Sequence, residues 1–195
     1  MGDGQATRRR VLDAAAAEFA AFGIAGARVD RISENARANK AQLYAYFGSK
    51  DGLFDAVLDQ RLGMIVNSVP LDASDLPGYA TGLYDAYLEH PELVRLATWV
   101  RLERVPTGYL FADGDAHHGS KVAAIAAAQG RGLIDAELDP LDVLSLVTAM
   151  SMSWSPASVL IAASRDDGKQ DRERRRAALA DSVRRAFAPP PTHKI

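Results

Sequence analysis

The sequence predicts an all-α chain, and three observations carry that prediction. Alanine and leucine dominate the periodic segments, alternating β-branched runs are missing, and aromatic residues make up only 7% of the 195 residues. At 48% hydrophobic and 25% charged, the chain has an ordinary globular composition and is long enough for one or two small domains.

The elements follow in order. A first helix is expected over residues 7–22, with Val11, Ala15, Phe19 and Phe22 on one face and Gly23 as its stop. Val29, Ile32 and Ala36 repeat at helical spacing over a second helix too short to stand alone, so it must pack on its neighbours. A turn at Arg37 and Ala38 leads to Asn39, a good N-cap, and to a third helix over Lys40–Phe47. Ser49 caps a fourth over 51–66, whose acidic first turn (Asp51, Asp55) suits the helix dipole. Residues 70–77 cluster Pro, Asp and Ser as a linker does. Beyond it helices are expected at 78–89, 91–105, 115–130, 140–163 and 170–187. Pro91 and Pro140 fall in first turns, where the missing N–H costs nothing. Pro156 is expected to kink or split the long penultimate helix, and 189–195 to fray as a tail.

Several chemistries are excluded early. With no cysteine, a disulfide framework, a zinc-thiolate site and a cysteine nucleophile go together, and a reducing compartment, the cytoplasm, is expected. The N-terminal ten residues lack the apolar core of a signal peptide, and no stretch approaches the roughly 18 apolar residues of a membrane helix. His117 and His118 point about 100° apart on a helix and cannot easily share one ion. No glycine-rich phosphate loop, Gly-x-Ser-x-Gly or metal-spaced carboxylate set is present, so no enzyme, metal or cofactor is expected.

Charge is divided along the chain. Residues 1–50 carry 8 Lys+Arg against 5 Asp+Glu, 51–164 carry 6 against 15, and 165–195 carry 9 against 5. The net values of +3, −9 and +4 describe a head that tolerates a polyanion and a body that repels one.

Three short helices with a tight turn before the third make the helix-turn-helix layout, in which the later helix lies in the DNA major groove. With Leu43 and Phe47 turned inward at 100° per residue, Ala41 and Ala45 face outward, flanked by Gln42 and Tyr44. Small outward residues allow close approach to base edges, Gln42 has the groups to pair with adenine, and the alanine methyls suit thymine methyls. Lys40, Tyr44, Tyr46 and Lys50 have the chemistry to hold phosphates. The arginine run at 8–10 reads equally as a solvated helix start or an electrostatic arm.

The string Asn39-Lys40-Ala41-Gln42-Leu43-Tyr44-Ala45-Tyr46-Phe47-Gly48-Ser49-Lys50-Asp51-Gly52-Leu53 resembles the TetR family of bacterial transcriptional regulators, a match that extends over 10–57. The resemblance implies a three-helix DNA-binding domain (1–48) and a helical-bundle ligand-binding and dimerisation domain (49–188, with helix 49–67 as connector). Tyr44 and Lys50 match the family's phosphate contacts, and 40–42 match the start of its recognition helix. Two positions depart. Arg28 stands where the family commonly has a helix-capping threonine, which costs on the order of 1 kcal/mol and offers a phosphate contact in exchange. Arg37 stands at a turn glycine, at little cost if the turn avoids a left-handed conformation.

In the body, Tyr79, Tyr84, Tyr87, Trp99, Tyr109, Phe111 and Trp154 concentrate the aromatics, and Met150 and Met152 add adaptable side chains. Each one is explained by core packing, but together they suit an apolar pocket with a few polar groups. The candidate ligand-binding residues are Tyr84, Tyr87, Trp99, Glu103, Tyr109, Phe111, Met150 and Trp154. The acidic body points to a lipophilic aromatic cation, held with Asp85, Glu89 or Glu103 nearby, as a multidrug-sensing regulator would bind. The family likeness further implies a homodimer through helices 140–163 and 170–187 on a pseudo-palindromic DNA operator, with ligand-induced release of a repressor. Two other readings compete: a DNA-binding regulator without an effector, and a helical enzyme or interaction module that borrows the head.

Overall fold

Nine helices and no strand are present among the described residues: α1 (Gly2–Gly26), α2 (Val29–Ala36), α3 (Lys40–Phe47), α4 (Lys50–Ser68), α5 (Leu76–Glu89), α6 (Pro91–Glu103), α7 (Gly114–Gly130), α8 (Pro140–Ser151) and α9 (Lys169–Phe187). The computed structural model describes residues 2–105, 107–110 and 114–190, and among these the side chains of all but 2–3, 62–68 and 114–117. The chain forms two compact units, Met1–Val66 with Pro91–Leu110, and Asn67–His90 with Phe111–Ile195. This division differs from the sequence boundary at 48/49. α4 stays with the first three helices, and α6 rejoins them across a gap in sequence that no local pattern announces.

The first unit is built on α1. Val11, Ala15 and Phe19 are buried as their spacing predicts, and Phe19 meets Phe54 of α4 edge-on, with ring centroids 4.9 Å apart. Ile32 and Ala36 of α2, Leu43 of α3, Leu53 and Val57 of α4, and Leu96 and Val100 of α6 complete one core. Phe22 does not join it: the side chain is half-exposed, and the Arg31 guanidinium covers its ring at 4.2 Å. The helix breaks at Gly23 as expected, where φ is 71° and ψ −178°, before one more turn to Gly26. Glycine is required twice over here, because a Cβ would also lie 2.7 Å from Glu103 Oε1 and 2.9 Å from the Trp99 ring.

Local caps fix the next elements where the sequence places them. Asn39 accepts from the Gln42 N–H at 2.7 Å while Gln42 Oε1 accepts from the Asn39 N–H at 3.2 Å, a complete capping box for α3. Ser49 Oγ accepts from the Gly52 N–H at 3.0 Å at the start of α4. Gly52 itself is indispensable, since a Cβ there would lie 2.3 Å from the Phe47 carbonyl oxygen.

In the second unit α5 buries Tyr79, Leu83, Tyr84 and Tyr87, α7 buries Ile125, α8 buries Val143, Leu144 and Val147, and α9 buries Leu179, Val183 and Phe187. α5 starts inside the expected linker: Asp75 caps it by accepting from the Gly78 N–H at 2.8 Å, and Pro77 sits harmlessly in the first turn. The largest correction concerns α8, which ends at Ser151 and not at 163. Ser145, Thr148 and Ser151 turn their hydroxyls back onto the carbonyls of Leu141, Leu144 and Val147, a weakening pattern in helices. Pro156 then bars the preceding residue from helical geometry, and turns replace the second half of the expected helix. No described helix is long and apolar enough to cross a membrane.

Candidate nucleic-acid interface

α3 presents the face that its wheel predicts. Leu43 is fully buried and Phe47 packs partly against the core, while Lys40, Ala41, Gln42, Tyr44, Ala45 and Tyr46 are exposed. Tyr44 is 45% exposed and Tyr46 39%, with the Tyr46 ring meeting the Phe47 ring edge-on at 6.1 Å. The structure therefore brings together on one helix every residue that the sequence nominates there for base and phosphate contact.

Several of these groups already have partners. Lys40 pairs with Asp30 of α2, which raises the lysine's pKa and lowers the carboxylate's, each chiefly through their mutual hydrogen bond. The Lys50 ammonium donates to the carbonyls of Ala25 and Ala27 at 3.3 Å each, closing the end of α1 and leaving one of its three N–H groups for a phosphate. Gln42 holds its oxygen in the capping box and keeps only its amide N–H groups free, so two-point pairing with adenine competes with the cap of its own helix.

The two departures from the family pattern have definite structures. Arg28 caps α2 without a side-chain hydrogen bond, and its guanidinium is exposed. The missing threonine is replaced by Glu18, which sequence reading passes over as one more charge on an alanine-rich helix. Buried to 5% exposure, Glu18 accepts from the Arg28 N–H and from Arg31 Nε, both at 2.8 Å. Burial pushes its pKa up, but the hydrogen bonds and charges of Arg31 and Arg28 outweigh that and hold it below the ordinary 4.5. A glutamate ten residues before a cationic N-cap was the signal to look for. Arg37 does adopt the left-handed conformation, with φ 50° and ψ 46°, so its turn carries the strain that a glycine would avoid.

The arginine run is largely used inside the unit. Arg10 donates through Nε to the Ala36 carbonyl at 3.1 Å, tying α1 to the end of α2, and Arg8 lies 5.3 Å over the Phe47 ring. α6 closes the other side: Glu103 accepts from the Ile24 and Ala25 N–H groups at 3.1 Å each, and Arg104 pairs with Asp51 and Asp55 of α4 at 2.5 Å each.

The residues nominated for a ligand divide between the two units. Tyr84, Tyr87, Met150 and Trp154 lie in the second, where Trp154 meets Tyr84 edge-on at 5.9 Å and burial pushes the Tyr87 phenol well above its usual pKa. Trp99, Glu103 and Tyr109 lie in the first, and Phe111 falls outside the described residues. Glu103 spends its carboxylate on the α1 backbone, and Asp85 is paired with Arg176, so neither stands free to hold a cation.

Comparison with known proteins agrees with this geometry. Residues 11–57 match the family model described as bacterial regulatory proteins, tetR family, and residues 75–185 match the tetracyclin repressor-like C-terminal domain. The chain is 43% identical over 155 residues to the HTH-type transcriptional repressor SCO4008 of Streptomyces coelicolor, covering 78% of this chain and 80% of that one. It is 34% identical over 97 residues to the HTH-type transcriptional repressor NicS of Pseudomonas putida, covering 46% of each. The crystal structure of the transcriptional regulator SCO4942 from Streptomyces coelicolor superposes with a TM-score of 0.78 at 38% identity, over 93% of this chain and 98% of that one. These relatives are DNA-binding regulators and not enzymes. With both family models matched in order, the chain belongs to the TetR family of bacterial transcriptional regulators.

Proposed function

We propose that this protein is a homodimeric repressor that places α3 of each copy in successive major grooves of a pseudo-palindromic operator and is released by a small lipophilic effector. The exposed face of α3, with Ala41 and Ala45 small and Tyr44 and Tyr46 bare, is the observation that carries the reading. Gln42, Ala41 and Ala45 read base edges, while Arg28, Lys40, Tyr44, Tyr46 and Lys50 fix the register on phosphates. Release follows if the effector binds better to a conformation in which the two α3 helices no longer match the groove spacing.

Tyr84, Tyr87 and Trp154 favour an aromatic effector, and the −9 segment of 51–164 favours a cation. Of the three acids that the sequence offered it, Asp85 is engaged with Arg176 and Glu103 with the α1 backbone, while Glu89 lines a cavity together with Arg165, Lys169, Arg172 and Arg176. Selection of bound duplexes from a random pool tests the first half, with an inverted repeat as the expected product. Titration of the protein–operator complex with matched cationic, neutral and anionic aromatic compounds tests the second. Release by cations is expected; release by anions alone overturns the assigned charge, and release by none supports a regulator without an effector.

A further inference from the structure

Between the end of α5 and the start of α9 lies an open cleft of about 820 Å³, built wholly from the second unit. The volume suits a small molecule, but the walls are not those of an apolar pocket, since Leu88 is the one hydrophobic residue among the nine that line it. Tyr84, Tyr87 and Trp154 do not line it, so the cleft is additional to an effector site built on those aromatics. Its charges do not cancel. Four cations face three carboxylates, and Arg176 pairs with Asp85 while Lys169 lies 3.6 Å from Glu173. That leaves the guanidinium groups of Arg165 and Arg172 against the single carboxylate of Glu89.

Arg165 is held in place before any ligand arrives. Its Nε donates to the Leu88 carbonyl at 3.1 Å, which leaves the two terminal nitrogens of the fork to a ligand. The segment that carries it is pinned from beneath: Arg175, only 6% exposed, pairs with Asp167, and the Asp167 carboxylate also accepts from the Ser164 N–H at 3.0 Å. An arginine already ordered loses less side-chain freedom on binding than a loose surface one. We propose that this cleft binds a small hydroxylated organic anion, a hydroxy acid or a phosphate monoester, with its anionic oxygens on Arg165 and Arg172 and its hydroxyl donated to Glu89. Arginine suits the first task because its planar fork meets carboxylate or phosphate oxygens in pairs. Glu89 sets the second requirement. An anion without a donor would set like charge against that carboxylate, whereas a hydroxyl uses it as an acceptor.

The test is calorimetric titration of the full chain at low salt with malate, glycerol phosphate, succinate, which lacks the hydroxyl, and the cation putrescine. Malate or glycerol phosphate is expected to bind with a dissociation constant of about 1 mM or tighter, and which of them binds tells carboxylate from phosphate. Succinate is expected to bind about tenfold more weakly than malate, and Arg172→Gln to weaken every anion by about tenfold. Glu89→Gln is expected to keep anion binding and to lose the preference for malate over succinate. Arg172 and Glu89 are exposed, so circular dichroism should be unchanged in both variants, and Arg174→Gln, exposed on α9 but outside the cleft, should bind as the wild type does. No binding of either hydroxylated anion up to about 10 mM, binding of putrescine in their place, or equal binding by the wild type and Arg172→Gln overturns the site. A malate preference that survives Glu89→Gln overturns the role of Glu89.

Discussion

Glu18 decides more about the reading head than any of the basic residues that first draw attention. Its carboxylate holds the start of α2 and the Arg31 side chain that covers Phe22, so Glu18→Gln is expected to cost about 2 kcal/mol at neutral pH. The sign of the pH dependence follows from its depressed pKa. The contribution is complete above the unfolded value and is lost as pH falls, so the stability gap between wild type and Glu18→Gln should close below 4.5 in denaturant titrations. At Arg37 the opposite change helps: Arg37→Gly removes a left-handed arginine and should raise stability by about 1 kcal/mol in the same titrations. Gln42 separates capping from reading. Gln42→Glu can still accept from the Asn39 N–H, but it offers an acceptor where the amide offered a donor. Selected duplexes should therefore shift from adenine toward cytosine at one position of each half-site, with α3 still folded.

At the scale of elements, what was legible was what is local. Asn39, Ser49 and Pro140 mark helix starts within a residue, because a cap acts on the N–H groups next to it. The outward face of α3 was legible for the same reason, since Leu43 and the helical period fix the rest. Neither the partners of Lys40, Lys50 and Glu18 nor the membership of α6 could be read this way, because they depend on chain segments 10 to 79 residues apart. Glu103 shows the cost: an acid that composition assigns to a ligand is bound to the end of α1. The end of α8 was missed because serine and threonine hydroxyls weaken a helix without announcing a stop. That α6 belongs to the first unit has a direct consequence. Leu96 is fully buried in that core, so Leu96→Ala should cost about 3 kcal/mol. Hydrogen exchange should show amides of α1 and α2 losing protection along with those of α6.

Over the whole molecule, the chain leaves the second unit at His90, contributes α6 to the first and returns beyond Leu110. The unit that carries α3 thus contains a helix covalently joined at both ends to the segments that carry Tyr84 and Trp154. The charge pattern agrees with DNA as one partner, since the first 50 residues carry the net +3. Operator binding should therefore weaken steeply with salt, and Lys40→Ala should flatten that dependence by about one counterion per copy.

The most direct measurement is the anisotropy of a labelled duplex recovered by selection, titrated with wild type and Tyr44→Ala against a scrambled duplex of equal length. The wild type should bind the selected inverted repeat at least 1000-fold more tightly than the scrambled duplex, on the scale usual for specific sites, with Tyr44→Ala about tenfold weaker on both. Equal affinity for the two duplexes, or a Tyr44→Ala protein that binds like the wild type, would contradict the assignment of α3 as the reading helix.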